Sequence, residues 1–204
     1  MVPQLVSLAG IDGSGKSTQV AAVAAALTAR GVDVVTTKTH LSATYSIFDL
    51  AEEMFGDPHS YHPEIPATLR EFVIASDVVQ HSRRWIEPRL EAGQTVVWDR
   101  GLLCYEAYAR AYGAELQWVL RMLRLVRPPD ITILLDVDPH LAWKRISARR
   151  HKPVQTSEGV EFLRLFRAEY LRLAQQRPNI VTINAERPAE EVTAAILAHL
   201  KPAE

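Results

Sequence analysis

Two patterns of apolar residues take turns along this chain. Short runs in which apolar and β-branched residues are contiguous alternate with longer stretches in which apolar residues recur every three or four positions. The runs are Gln4-Leu5-Val6-Ser7-Leu8-Ala9, Val32-Asp33-Val34-Val35-Thr36-Thr37, Thr95-Val96-Val97-Trp98, Ile131-Thr132-Ile133-Leu134-Leu135 and Ile180-Val181-Thr182-Ile183. Their length and content predict five strands. Helices are predicted from Lys16 to about Arg30, from Tyr45 to Phe55, and from about Glu64 to Ala92 with a bend near Pro66 or Pro88. Others run from Leu103 to Arg127 with a break around Gly113, from Pro139 to Arg150, through Phe162 to Leu173, and from Ala189 to Leu200. Gly56-Asp57-Pro58-His59 stops the second of these, and the two histidines between Pro58 and Pro63 read as a loop. Strands alternating with helices predict an α/β three-layer fold with a five-stranded, mainly parallel sheet flanked by helices, in a single domain over residues 1–204.

Composition narrows the function classes. With 204 residues, 48% of them hydrophobic, the chain can bury a substantial core. A net charge of −1 provides no broad basic footprint, which argues against a nucleic-acid polymer as partner and favours a small molecule. The single cysteine, Cys104, cannot form an intramolecular disulfide, as expected in a reducing cytoplasm. No apolar run approaches a membrane span and no signal region follows Met1, so a cytoplasmic protein without membrane attachment is expected.

The chemistry begins between the first strand and the first helix. Gly10-Ile11-Asp12-Gly13-Ser14-Gly15-Lys16-Ser17-Thr18 fits G-x-x-x-x-G-K-[ST], the pattern of a phosphate-binding P-loop, without a mismatch. Glycines free the backbone to aim successive N–H groups at phosphate oxygens, and a helix N-terminus adds positive potential. Lys16 is expected on the β- and γ-phosphates, and the Ser17 hydroxyl on a Mg²⁺ ion. A nucleotide-phosphate site in a P-loop NTPase fold is the expectation.

Later strand ends extend the site. The third strand ends at Asp99-Arg100, where the carboxylate suits the metal's water shell and the arginine a second phosphate. Lys38 and His40 follow the second strand and are candidates for substrate contact. Asp136 and Asp138 close the fourth strand; Asp138 is expected to cap the next helix, while Asp136 suits either a cap or the metal. Arg145, Arg149, Arg150, His151 and Lys152 concentrate positive charge, and a lid around residues 145–158 is expected to bring arginines over the transferred phosphoryl.

Taken together, the Gly-Ile-Asp-Gly-Ser-Gly-Lys-Ser-Thr-Gln opening, Asp99-Arg100, Ala107-Tyr108 and Leu135-Asp136-Val137-Asp138-Pro139 resemble the landmarks of the thymidylate kinase family, in the same order and over nearly the whole chain. The resemblance implies transfer of the ATP γ-phosphoryl group to a nucleoside monophosphate, dTMP or a related one, and a homodimer whose face the Glu64–Ala92 helix would supply. It implies a role for Asp12 near the acceptor sugar and the metal, and acceptor contacts from Lys38, Phe72, Arg100 and Tyr108. With Ser14 and no arginine inside the loop, the chain is similar to members that carry their arginine on the lid, here Arg149 or Arg150. The acceptor half departs from the family. Lys38-Thr39-His40 stands where Arg-Glu-Pro is usual, Val78 aligns with a base-reading arginine, Gly101 follows Arg100 in place of an aromatic residue or histidine, and Cys104 and Ala109 replace polar residues. Two further readings stand beside the leading one: a kinase for another nucleoside or small metabolite, and a catalytically silent nucleotide-binding protein.

Overall fold

The computed structural model describes residues 3–55, 65–149 and 159–200. Five strands, β1 (Leu5–Ala9), β2 (Val34–Lys38), β3 (Thr95–Asp99), β4 (Ile131–Asp136) and β5 (Ile180–Asn184), form one sheet in the order β2-β3-β1-β4-β5. Every pairing is parallel. The β-branched runs explain this arrangement: β1 and β3 are buried along their whole length, as strands covered by helices on both faces must be. The edge strands β2 and β5 are partly exposed and carry threonines and Asn184.

Helices α1 (Lys16–Ala29), α2 (Ser42–Phe55) and α3 (Ala67–His81) fall close to the predicted spans. The long third helix runs on through a π-helical turn, Ser82–Ile86, into α4 (Glu87–Glu91). The irregularity shown near Pro88 is thus this π-helical turn, just ahead of a residue whose missing N–H and bulky ring disfavour a regular i to i−4 ladder. The predicted Leu103–Arg127 helix is divided into α5 (Leu102–Ala111) and α6 (Leu116–Leu123), with Gly113 between them at φ +69°. Then come α7 (Pro139–Arg149), α8 (Val160–Ala174) and α9 (Ala189–His199). The Pro58–Pro63 segment lies outside the described residues.

Two apolar cores lock the layers. In the larger, Val20, Val23 and Leu27 of α1 share one helical face and pack with Val6, Leu8, Ile133 and Leu135 of the central strands and with Phe166, Tyr170 and Ile196. In the smaller, Ile74 and Val78 of α3 and Val119 and Leu123 of α6 pack on Leu5, Val96 and Trp98. The carboxyl ends of β1, β2 and β3 thus emerge side by side, with Leu8 opposite Asp99 and Lys38 opposite Asp99 in the ladder. Among the described residues, no helix is long and apolar enough to cross a membrane.

Candidate active site

The glycine loop leaves β1 at Ala9 and enters α1 at Lys16, squeezed between β4 and α7. A Cβ on Gly10, at φ +143°, would lie 2.6 Å from the carbonyl oxygen of Leu135. One on Gly13, at φ +80°, would collide with the carbonyl of Ala142. Only glycine fits both the dihedrals and the space. Arg145 of α7 holds the loop from outside, its Nη1 donating to the carbonyls of Gly13 (3.4 Å) and Ala185 (3.2 Å). Lys16 is buried within the loop, its Nζ 2.9 Å from the carbonyl oxygens of both Gly10 and Ile11. Burial lowers its pKa, Arg100 pushes the same way, and Asp12, 3.7 Å away, opposes them. Beside the loop, Gly13, Gly15, Thr18, Arg145 and Arg187 line a recess of about 170 Å³.

Ser17 and Asp99 meet next to the loop, Ser17 Oγ donating to Asp99 Oδ2 at 2.8 Å. Asp99 is 7% exposed, and its other carboxylate oxygen is buried and has no hydrogen-bond partner among the described residues. A hydroxyl beside a carboxylate with a spare oxygen is a set of hard oxygen donors that fits Mg²⁺, an ion that takes few protein ligands and keeps several waters.

Arg100 stands in the left-handed region at φ +64°, a conformation costing an ordinary residue on the order of 1 kcal/mol and found disproportionately at functional sites. Its backbone N–H donates to Leu8 O at 3.1 Å, which pins the turn to β1. The guanidinium bridges Asp12 and the hydroxyl of Tyr108, the latter at 3.1 Å. Burial alone would raise the pKa of Asp12, but Arg100, Lys16 and Lys38 together hold it below the usual carboxylate range. The Asp12 side chain is 48% exposed, so this ion pair orients more than it stabilises.

Asp12, Arg100 and Lys38 bring charge to the loop side of a cavity of about 280 Å³. Tyr45 and Phe48 of α2, Glu71 and Ile74 of α3, Tyr105, Tyr108 and Tyr112 after β3, and Phe162 of α8 line the rest. The predicted Lys38, Arg100 and Tyr108 are therefore brought together with Asp12. Phe72, the expected fourth acceptor contact, is not: it sits 39% exposed. Glu71 and Ile74 lie three residues apart and share the face of α3 that meets the cavity, whereas a residue one position beyond Glu71 is turned about 100° away.

Other expectations resolve variously. Asp138 caps α7, its Oδ1 accepting from the N–H groups of His140 (2.9 Å) and Leu141 (3.2 Å). Asp136 is instead taken by Arg167 of α8, which forks onto both its oxygens at 2.7 and 2.9 Å. His40 is exposed and faces His81, with ring centroids 6.2 Å apart. Val78 is fully buried in the α3 core, Cys104 lines the cavity and Ala109 is buried. Arg145 clamps the P-loop, a role that its place in a basic cluster did not suggest. The side chain of Arg149, and Arg150 entirely, lie outside the described residues. Glu71 and Ile74 escaped the sequence reading because a single acidic or apolar residue in a helical stripe carries no signal of its own.

The thymidylate kinase family model matches residues 8–196. That match spans the glycine loop, Asp99-Arg100 and the acceptor-side helices in one stretch. This chain belongs to the thymidylate kinase family. Curated relatives agree in length as well as sequence. A probable thymidylate kinase of Pyrobaculum calidifontis is 37% identical over 97% of this chain and 96% of its own. A thymidylate kinase of Dinoroseobacter shibae is 34% identical, again over 97% and 96%, and a probable thymidylate kinase of Thermococcus kodakarensis 33% identical over 95% of each. As a member of the family, the chain is an ATP-dependent nucleotide kinase, a phosphotransferase with the donor loop described above.

Proposed function

We propose that this enzyme transfers the γ-phosphoryl group of ATP to the phosphate of a nucleoside monophosphate seated in the Asp12–Arg100–Lys38 cavity, with dTMP, the acceptor in its relatives' names, as the substrate. The observation that carries this reading is the continuity of the two halves: Asp12 belongs to the donor loop, yet its carboxylate is held by Arg100, which lines the acceptor cavity. Donor and acceptor phosphates would meet across that pair. Lys16 and the loop N–H groups hold the donor phosphates, while Arg100 and Lys38 draw the acceptor phosphate alongside and leave little covalent work for the protein. Tyr108 keeps Arg100 pointed into the cavity. Mg²⁺, held through Ser17 and Asp99, supplies charge neutralisation on the phosphate oxygens. Arg149 or Arg150, within the lid expected around residues 145–158, adds positive charge, in a single kinase domain.

The enzyme is proposed to act in the cytoplasm as a homodimer. Leu69 and Phe72 of α3 are exposed, and Trp118 is exposed on α6, which packs against α3. Sedimentation at micromolar concentration tests this: a monomer that persists at all concentrations removes the dimer.

The function is tested by ADP release with ATP, Mg²⁺ and a panel of dTMP, other nucleoside monophosphates, nucleosides and small phosphorylated metabolites. Turnover with dTMP and at most weak turnover with the last two groups is the expected result. ATP binding with no transfer to any acceptor would leave a silent nucleotide-binding protein.

A further inference from the structure

The α3 wall of the cavity holds an acidic group to which nothing above gives a role. Glu71 is 2% exposed yet lines the cavity. Its Oε1 accepts from Nε of Arg70 at 3.1 Å, and among the described residues no hydrogen bond reaches Oε2. Burial pushes the pKa of Glu71 up, against the opposing pull of Arg70. Arg70 is itself held, its guanidinium 4.4 Å above the ring of Tyr112, another lining residue. The carboxylate is thus clamped on one oxygen and left with acceptor capacity on the other, beside the cavity that it lines.

The surroundings define what meets that oxygen. Ile74, Tyr112 and Phe162 offer apolar and aromatic surface suited to the plane of a heterocycle. The cavity's threonine hydroxyls are engaged: Thr44 Oγ1 donates to Asp77 at 2.7 Å, and Thr39 Oγ1 accepts from Trp98 Nε1 at 3.1 Å. Of the charges proposed to hold the phosphate, Lys38 ends β2 and Arg100 follows β3, while Glu71 stands on helix α3. A mononucleotide with its phosphate on Arg100 would bring its base to the α3 wall.

Resting on the reading of this cavity as the acceptor site, we propose that Glu71 is its specificity-determining residue, accepting a hydrogen bond from an N–H on the pairing edge of the acceptor base, N3–H where the base is thymine. A carboxylate held ionised by its pairing with Arg70 can only accept, so it disfavours a base whose ring nitrogen at that position is itself an acceptor, N3 of cytosine or N1 of adenine.

The test compares dTMP with its N3-methyl analogue by calorimetric binding, which is read without turnover and so stands apart from the kinase reading. The wild-type enzyme should bind the methylated nucleotide at least about tenfold more weakly, the order expected when a buried partner is left unpaired. In Glu71→Gln the amide oxygen is required by Arg70 Nε, so its NH₂ faces the base, donor against donor. That variant should lose about tenfold for dTMP, little for the analogue, and keep its ATP affinity, bringing the ratio near one. Glu71→Leu should erase the ratio too; if it does not fold, Glu71→Gln decides. An unchanged ratio in Glu71→Gln, or a wild-type enzyme that binds neither nucleotide, overturns the proposal. Tight, Glu71-dependent binding of dTMP with no ADP release would instead leave Glu71 in place and overturn the kinase reading.

Discussion

The proposed donor and acceptor halves of this site are built in different ways. The donor half consists largely of backbone: loop N–H groups between β1 and α1, with Lys16 and Ser17 opening α1 and Asp99 ending β3, and with β1 and β3 buried along their whole length. Two of its glycines, Gly10 and Gly13, are fixed by collision with the backbone of Leu135 and Ala142. The acceptor half consists of side chains from α2, α3, α5 and α8, gathered around the partly exposed edge strand β2. The difference teaches where divergence is tolerated. A main-chain cradle wedged against the core permits few changes, whereas a cavity lined by side chains on helices can be re-lined position by position while the cores behind it persist.

The sharpest way to break that comparison is through the donor half. Lys16→Ala removes the cation on the donor phosphates and should lower kcat by about a thousandfold or more, around 4 kcal/mol of transition-state stabilisation. The melting temperature should move little, because the Lys16 ammonium bonds only to loop carbonyls. Retained turnover would remove the P-loop from the mechanism. Asp99→Asn comes next, at about a hundredfold in kcat with a raised Mg²⁺ requirement. The amide keeps the Ser17 bond and loses the charge, so a variant with ordinary Mg²⁺ dependence would show that the buried free oxygen of Asp99 serves packing rather than metal.

What was legible in the sequence follows the same division. The glycine loop and Asp99-Arg100 could be read because each needs fixed residue types at fixed spacing. The sheet could be read because buried parallel strands demand contiguous β-branched runs. The acceptor wall could not. Phe72 and Ile74 differ in the direction they leave α3, which is settled only once the helix has a neighbour to face. Glu71 becomes notable only when the cavity beside it is seen. Gly101 is another case: beyond Arg100 it is a small residue without signal, yet a Cβ there would collide with the Ser7 hydroxyl on β1, so two distant positions constrain each other.

A third prediction probes what holds the acceptor wall to the sheet. His81, at the end of α3, bonds Thr37 Oγ1 of β2 at 2.8 Å and stacks on Trp85 with centroids 5.5 Å apart. Burial, then His40 and Arg89, depress its pKa from 6.5 to about 4. The folded protein therefore resists a proton that the unfolded chain accepts. The stability tied to neutral His81 is complete above pH 6.5 and drains as pH falls from 6.5 towards 4, with about 2 kcal/mol lost by pH 5. Urea midpoints measured across that window should fall, and His81→Gln should flatten the histidine part of the fall. An equally steep profile in the variant would place the acid sensitivity elsewhere.

The smallest effect gives the finest distinction between the halves. Tyr108 accepts from Arg100 Nη1 at 3.1 Å, and its ring lies 4.2 Å from that of Phe166, centroid to centroid. Tyr108→Phe keeps the ring and removes only the hydroxyl, so the core between α5 and α8 should survive with a melting temperature within a few degrees. Arg100 keeps its bond to Asp12 but loses one of the two contacts that set its direction. A hydrogen bond to a charged group is worth about 1.5 kcal/mol at the low end, so KM for the acceptor should rise about tenfold while KM for ATP stays put. An equal rise in both constants would mean that Arg100 orients the donor as much as the acceptor. The boundary between the halves would then run beyond Arg100, and the acceptor phosphate would depend on Lys38 for its separate contact.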